Sequence, residues 1–340
     1  DWSSDVCSFR SAVAPRTAAA QARDVLLPAE TVLWEGAPRQ GAGWRCLLRE
    51  RDIILTALAA LPGLALLAVG LPEHREMLGL AVAALALPPQ MPTPVTAFFA
   101  TANKVAAVAL LIRVAIEAFG AQLGAWQQIV IFIALASILL GAAGAIGQSN
   151  IKRLLAYSSI AHAGFILVAL ISFDRSAVEG VLFYVVAYGI TTIAAFAVVN
   201  LVRERDAEAT HLSQWAGLGR NHPYLAGAFA LFMLAFAGIP LTSGFTSKVV
   251  AFLPAVEHAG LSGVVLVVIG VLMSAITAFV YVRIIVLMFF TEPTGEVTAA
   301  APATLSLVVI VIGVIATIAL GVFPGPLLEL AEQSSIFITR

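Results

Sequence analysis

The chain has 340 residues, 60% of them hydrophobic and 11% charged, with a formal net charge of −1 at pH 7 and a mean hydropathy of +0.97. A soluble domain carries roughly 25% charged residues, so this composition excludes an ordinary soluble protein. It predicts an all-α fold, a polytopic membrane helical bundle lying in a lipid bilayer. No basic stripe with interleaved aromatics is present, which excludes nucleic acid as a partner. Cys7 and Cys46 are the only cysteines, and they have neither metal-ligand spacing nor a disulfide framework. There is no P-loop, dinucleotide fingerprint or iron–sulfur cysteine cluster. Any redox cofactor is therefore expected on another chain.

In chain order, residues 1–51 carry seven arginines and read as a polar, irregular segment. Residue 1 is Asp rather than Met, and no apolar core of signal-peptide length follows. Residues 52–91 hold one plausible span, Asp52–Leu71, and a run, Met77–Leu87, too short to cross a bilayer alone. Composition changes near residue 90. Residues 92–340 form the main transmembrane domain, in which apolar runs of bilayer length follow one another. They are Pro94–Glu117, Trp126–Gly147, Ile151–Ser172, Ala177–Val202, Tyr224–Leu253, Leu261–Phe290 and Ala303–Val322. Seven clear transmembrane helices are thus expected, with one or two weaker ones before them.

Orientation follows from Lys and Arg in short loops. The link Gln148–Arg153 carries Lys152 and Arg153, and Arg203–Pro223 carries Arg203, Arg205 and Arg220. Counting spans puts both links on one face, predicted to be cytoplasmic, and the C-terminus on the outer side of a bacterial-type inner membrane. Lys152 and Arg153 are expected to act as positive-inside anchors. Arg113 and Glu117 can pair across one helical turn, and Glu179 is read as a boundary residue at a helix start.

Lys104, Lys152 and Lys248 are the whole lysine inventory, beside 16 arginines. Lys104 lies about ten residues, or about 15 Å, into its run, which is near the bilayer centre. A charge there costs several kcal/mol and marks a functional position. Burial can also bring a lysine toward neutrality, so that it gains and loses a proton, which arginine does not. Lys248 follows Gly238-Ile-Pro240, a sequence that breaks a helix. Broken backbone in hydrocarbon needs partners, and Thr242, Ser243, Thr246 and Ser247 offer hydroxyls there. His162 lies about eleven residues into its run and can pass a proton through either nitrogen. Tyr157, Ser158, Ser159, Tyr184, Tyr188, Thr191 and Thr192 are hydroxyl candidates for ordering water, although each also suits helix–helix contact.

Three strings carry a family resemblance. Gln148-Ser-Asn-Ile-Lys-Arg-Leu-Leu-Ala-Tyr-Ser-Ser-Ile-Ala-His-Ala-Gly-Phe resembles the signature of the antiporter-like membrane subunits of proton-pumping NADH:quinone oxidoreductase (complex I). Pro92-Thr-Pro-Val-Thr-Ala-Phe-Phe-Ala-Thr-Ala-Asn-Lys and Gly238-Ile-Pro-Leu-Thr-Ser-Gly-Phe-Thr-Ser-Lys look most like the subunit N branch. The resemblance covers residues 92–339. It implies that the chain holds the second of two inverted repeats, with its broken helix at Gly238–Pro240. It implies a proton relay through Lys104, His162 and Lys248, with Tyr188 where sister subunits carry another histidine. It further implies a translocase subunit with no redox centre of its own. Partners would be the other membrane subunits of complex I, with NADH, FMN, iron–sulfur clusters and quinone bound elsewhere.

Residues 1–91 do not follow the pattern. Leu85-Ala-Leu-Pro-Pro-Gln-Met stands where the family has a lysine helix and a Pro-Phe-His segment, and a foreign join or frame slip is expected there. The alternatives are a subunit of a multi-subunit cation/proton antiporter or membrane-bound hydrogenase, and a truncated, non-pumping scaffold.

Overall fold

A computed structural model describes residues 93–114, 123–172, 174–204, 207–292, 297–299 and 304–338. The readings of residues 1–51 and 52–91, and of Glu117, lie outside them. The helices are α1 (Thr93–Arg113), α2 (Leu123–Ile146), α3 (Ile151–Leu170), α4 (Arg175–Leu201), α5 (Leu218–Asn221), α6 (Pro223–Ala237), α7 (Ser243–His258), α8 (Gly260–Phe290), α9 (Thr304–Val322) and α10 (Gly325–Ile338). Among the described residues, six of these are long and apolar enough to cross a membrane. The seventh expected span, Tyr224–Leu253, is divided into α6 and α7. Helix α10 was not anticipated. It follows α9 directly after Pro324, which cannot continue the preceding ladder.

Hydrophobicity does not drive helices together inside lipid, so close packing has to. The α2–α3 hairpin shows how. A Cβ at Gly141 would lie 2.5 Å from the Ala161 nitrogen, and one at Gly164 would lie 2.9 Å from the Ala134 carbonyl. Only glycine permits these approaches. The turn between the helices is fixed by Asn150, whose side chain accepts from the backbone N–H of Lys152 and Arg153 at 3.0 and 3.2 Å. Asp174 caps α4 in the same way, accepting from Ala177.

Helix α8 shows the inside–outside logic of a membrane helix. Its outward face carries Leu261, Val268, Leu272, Phe279 and Phe290, all exposed. Its inward face carries Leu266, Ser274, Thr277, Tyr281 and Met288, all buried. Ser274, Thr277 and Tyr281 of this helix thus face the protein, while Ser262 and Arg283 are exposed.

The two basic links meet, as the span count required. Ile151 N–H donates to Thr210 O at 2.8 Å and Leu212 N–H to Ser149 O at 2.7 Å. A small antiparallel sheet, ordered β2-β1-β3, closes this face with β1 (Val202–Glu204), β2 (Ala207–Glu208) and β3 (Val297–Ala299). Arg203 stands opposite Glu208 on one side and Thr298 on the other. The sheet was not anticipated, because its strands are two or three residues long.

Lys152 does not behave as the expected surface anchor. It is 4% exposed and forms an ion pair with Glu208. Glu208 also accepts from the Thr93 backbone N–H at the start of α1. A lysine this far from water needs a counter-charge, and the folding of the 203–223 link supplies one. Burial pushes the Glu208 carboxyl up, but hydrogen bonds from Lys152 and Thr93 outweigh it and hold the group below its ordinary value of 4.5. A depressed carboxyl stabilises the fold above its unfolded value, and that contribution is lost as pH falls through the folded value. Wild-type protein should therefore melt above Glu208→Gln at pH 7, and the difference in Tm should shrink toward zero as the pH drops below about 4. An unchanged difference across that range would show that the carboxylate charge contributes nothing.

Candidate functional site

The gap between α6 and α7 is built from backbone chemistry. Gly238 ends α6 in the left-handed region, at φ +82°. Its N–H reaches Leu234 O and Ala235 O at 3.0 Å, and the Ile239 N–H reaches Leu234 O at 3.1 Å. This satisfies the carbonyls one turn back, as glycine-terminated helices do. Leu241 also has positive φ, at 71°, and the chain re-enters a helix at Ser243. The half-helices then pass so closely that a Cβ on Gly244 would fall 1.7 Å from Ala235 O.

Two carbonyls at the end of α6, Phe236 O and Ala237 O, are left without helical partners. Lys248 takes both. Its Nζ donates to Phe236 O at 3.0 Å and Ala237 O at 2.9 Å, and to Ser274 Oγ at 2.6 Å. All three ammonium hydrogens have acceptors. The charge sits at the negative end of the α6 dipole and 5.3 Å from the Phe165 ring centre.

Lys104 is held differently. Its Nζ donates to Ser159 O on α3 at 2.6 Å and to Tyr188 Oη on α4 at 3.5 Å, and it lies 4.6 Å from the centre of the Tyr188 ring. Tyr188 also meets His162. The two rings stack with centroids 4.5 Å apart and planes 27° from parallel. His162 Nδ1 shares a 2.7 Å hydrogen bond with Tyr184 Oη. Phe236 closes the group, with its ring 5.6 Å from His162 and 5.7 Å from Tyr188. No carboxylate pairs with either lysine among the described residues, whereas ion pairs do form at Lys152, Arg175 and His258.

The structure thus brings Tyr188, His162 and Lys248, all buried, into one cluster with Lys104, which is half-buried. A cavity beside His162 is lined by Tyr184, Tyr188, Thr191, Ser243 and Ser247 and leaves about 10 Å³ of free space, close to the minimum for one water. A second of similar size lies between Lys104 and Tyr188. Thr191 Oγ1 links the first cavity to Ser243 Oγ at 3.4 Å and to Thr317 Oγ1 at 3.3 Å.

Most of the hydroxyls expected at the break are spent on backbone. Thr242 donates to Ile239 O, Thr246 to Gly321 O and Ser247 to Ser243 O. Sequence reading missed Ser274 and Tyr281 and left Tyr184 among the general hydroxyls. Ser274, Thr277 and Tyr281 recur at intervals of three and four in an otherwise apolar helix, a signal that was available. Glu179 pairs with Arg175 at 3.8 Å, one turn away at the start of α4, as a boundary residue would.

The lysines should respond differently to neutral replacement. Lys248→Met leaves Phe236 O without its partner, at about 1–3 kcal/mol for a buried polar group. Ser159 O, by contrast, lies inside α3 and keeps its helical partner when Lys104 is replaced. Lys248→Met should lower the Tm of the purified membrane protein clearly more than Lys104→Met. Equal shifts would refute the capping role.

Residues 86–277 match the family described as NADH:quinone oxidoreductase/Mrp antiporter, transmembrane, a start six residues upstream of the one expected from the motifs. NADH-quinone oxidoreductase subunit N of Rhodococcus opacus is 49% identical over 247 residues, covering 72% of this chain and 45% of that protein. The chain spans about half the length of the curated relatives it matches. Among solved structures, a chain of respiratory complex I from Thermus thermophilus with bound aureothin is 29% identical. It has a TM-score of 0.61, and the match covers 86% of this chain and 70% of that one. A chain of the Mrp complex from a Dietzia species has a TM-score of 0.65 at 22% identity, covering 84% of this chain and 59% of that one, which is a likeness of fold. The shared helical bundle, the matched motifs and the extent of the family match agree: this chain is an antiporter-like, multi-pass membrane protein of the NADH:quinone oxidoreductase/Mrp antiporter family, of the subunit N type.

Proposed function

We propose that this chain is the proton-translocating C-terminal part of a subunit N in a proton-pumping NADH:quinone oxidoreductase. Protons pass along Lys104, Tyr188, His162 and Lys248, driven by quinone reduction elsewhere in the complex. The observation that carries this reading is the contact series from Lys104 through the Tyr188 ring to His162, with Lys248 on the far side of Phe236 and Phe165.

The chemistry suits the task. Both lysines are held by neutral dipoles and aromatic faces rather than by carboxylates. Nothing fixes their charge permanently, so a change of field from a neighbouring subunit can tip one of them. A nearby unit charge shifts such an equilibrium by a few pKa units, each worth about 1.4 kcal/mol. When Lys104 releases its proton, the Tyr188 hydroxyl, 3.5 Å away, receives it and passes its own to a water in the cavity that Tyr188 and His162 both line. His162, with one nitrogen engaged by Tyr184, has the other free for exchange. Tyr184 fixes the ring's orientation.

Electron transfer belongs on the partner subunits of this reading, which hold NADH, FMN, iron–sulfur clusters and quinone. The basic face carrying Lys152 and Arg220 is cytoplasmic in this assignment, and the C-terminal end of α10 is on the outer side. An Mrp-type cation/proton antiporter shares the fold, but the much higher identity to subunit N relatives favours the quinone-reductase assignment.

Lys104→Ala, placed in the full-length subunit of an assembled complex, should abolish or sharply reduce quinone-coupled proton pumping measured in vesicles. Normal pumping in that variant would overturn the assignment.

A further inference from the structure

Ser274 stands in two hydrogen bonds at once. It lies on the inward face of α8 and is 8% exposed. Its Oγ accepts from Lys248 Nζ at 2.6 Å, and its hydroxyl donates to Ala237 O at 3.2 Å. Ala237 O therefore has two donors, because Lys248 Nζ reaches it at 2.9 Å. Phe236 O takes the third ammonium hydrogen at 3.0 Å. Two further sides of the ammonium are closed. The Phe165 ring centre is 5.3 Å away, and a Cβ on Gly238 would lie 2.8 Å from Nζ.

We propose that Ser274 is a positioning residue that serves both charge states of Lys248, accepting from the ammonium and donating to the amine while the broken end of α6 stays capped. The proposal rests on the proton-translocating reading above and adds to it what keeps the break intact between proton uptake and release. A hydroxyl is both donor and acceptor, and its hydrogen turns about the C–O bond to suit its neighbours. An ammonium has three hydrogens and no lone pair, and its partners are the three just given. A neutral amine has two hydrogens and one lone pair. Its two hydrogens stay on Phe236 O and Ala237 O. The Ser274 hydroxyl then turns its hydrogen from Ala237 O to the Nζ lone pair. Ala237 O gives up its second donor and keeps its first. No buried donor or acceptor is orphaned in either state, and no heavy atom has to move. Ser274 keeps its own hydrogen throughout, so it holds the lysine without carrying the proton.

The titratable groups around α7 stand farther from the ammonium than Ser274. Helices α3, α4, α6, α8 and α9 pack against α7. His162 on α3 lies beyond Phe165 and Phe236, its ring 5.6 Å from each. Tyr184 and Tyr188 on α4 are engaged with His162, and Tyr281 on α8 with Ser158. Lys152 and Arg153 lie in the first turn of α3, Arg175 and Glu179 at the start of α4, and Arg283 on the exposed face of α8. Helix α6 carries Tyr224 at its far end, α9 carries no titratable side chain, and Glu257 and His258 close α7 itself.

The test uses the assembled complex with the full-length subunit in vesicles. In Ser274→Ala the ammonium loses a charge-assisted bond and the amine loses a neutral one. Charge-assisted bonds are roughly twice as strong, so Lys248 in this variant holds its proton less tightly. The alkaline limb of the pH profile of quinone-coupled pumping should move about one unit toward lower pH. Ser274→Cys, which keeps the shape with a weaker donor and acceptor, should move it the same way by less. Ser274→Thr keeps a hydroxyl and should return the limb to its wild-type position. A bond that serves packing alone would lower Tm and leave the limb in place. An unmoved limb in the alanine and cysteine variants overturns the proposal. Lys104→Ala is run beside them. If it stops pumping while the limb stays in place, the Ser274 role falls and the relay stands; if Lys104→Ala pumps normally, both fall.

Discussion

The structure depends on one ammonium group placed against the end of a broken helix. Helix α6 stops at Gly238 inside the apolar layer, where an unpaired carbonyl has no water to turn to. Lys248 Nζ meets Phe236 O and Ala237 O there. In the proposed relay, the same three-hydrogen group that satisfies the backbone also gives up a proton. When it does, one of its three acceptors, the two carbonyls and Ser274 Oγ, loses its donor. Proton release and the stability of the break are therefore linked, and a change at either is felt by the other.

The rest of the cluster is arranged around that constraint. Gly244 lets α7 pass against Ala235 O, which brings Lys248 back over the end of α6. Phe236 turns its carbonyl to Lys248 and its ring to His162, Tyr188 and Tyr281. One residue thus touches both the capped break and the aromatic partition between lysines. The arrangement holds the two lysines apart with no carboxylate paired to either among the described residues. It relies instead on carbonyl and ring dipoles, which are costly to reorganise and so keep their positions as charges change.

The basic face shows the opposite strategy. There a lysine, Lys152, is paired with a carboxylate, Glu208, which also fixes the start of α1. An ion pair of this kind joins three segments. The contrast separates a lysine held by a carboxylate from two held by carbonyl, hydroxyl and ring contacts.

Much of this was written in the chain. Runs of apolar residues, Gly–Pro punctuation and the depth of each lysine fixed the number of spans, the position of the break and Lys104, Lys248 and His162 as the groups to watch. Those features are local, and periodicity and chain length carry them. What the chain alone left undecided was which groups meet. Lys152 read as an anchor because its partner lies 56 residues away in a polar link. Tyr281 and Ser274 drew no attention because single hydroxyls in apolar helices usually bind their neighbours. The little sheet is too short to leave a pattern. Only the packing of α1, α3 and α4, and of α6, α7 and α8, decided that Tyr188 touches both Lys104 and His162, and that Ser274 completes the shell of Lys248. Such contacts depend on helix rotation and crossing, which are set by where glycines allow backbones to close.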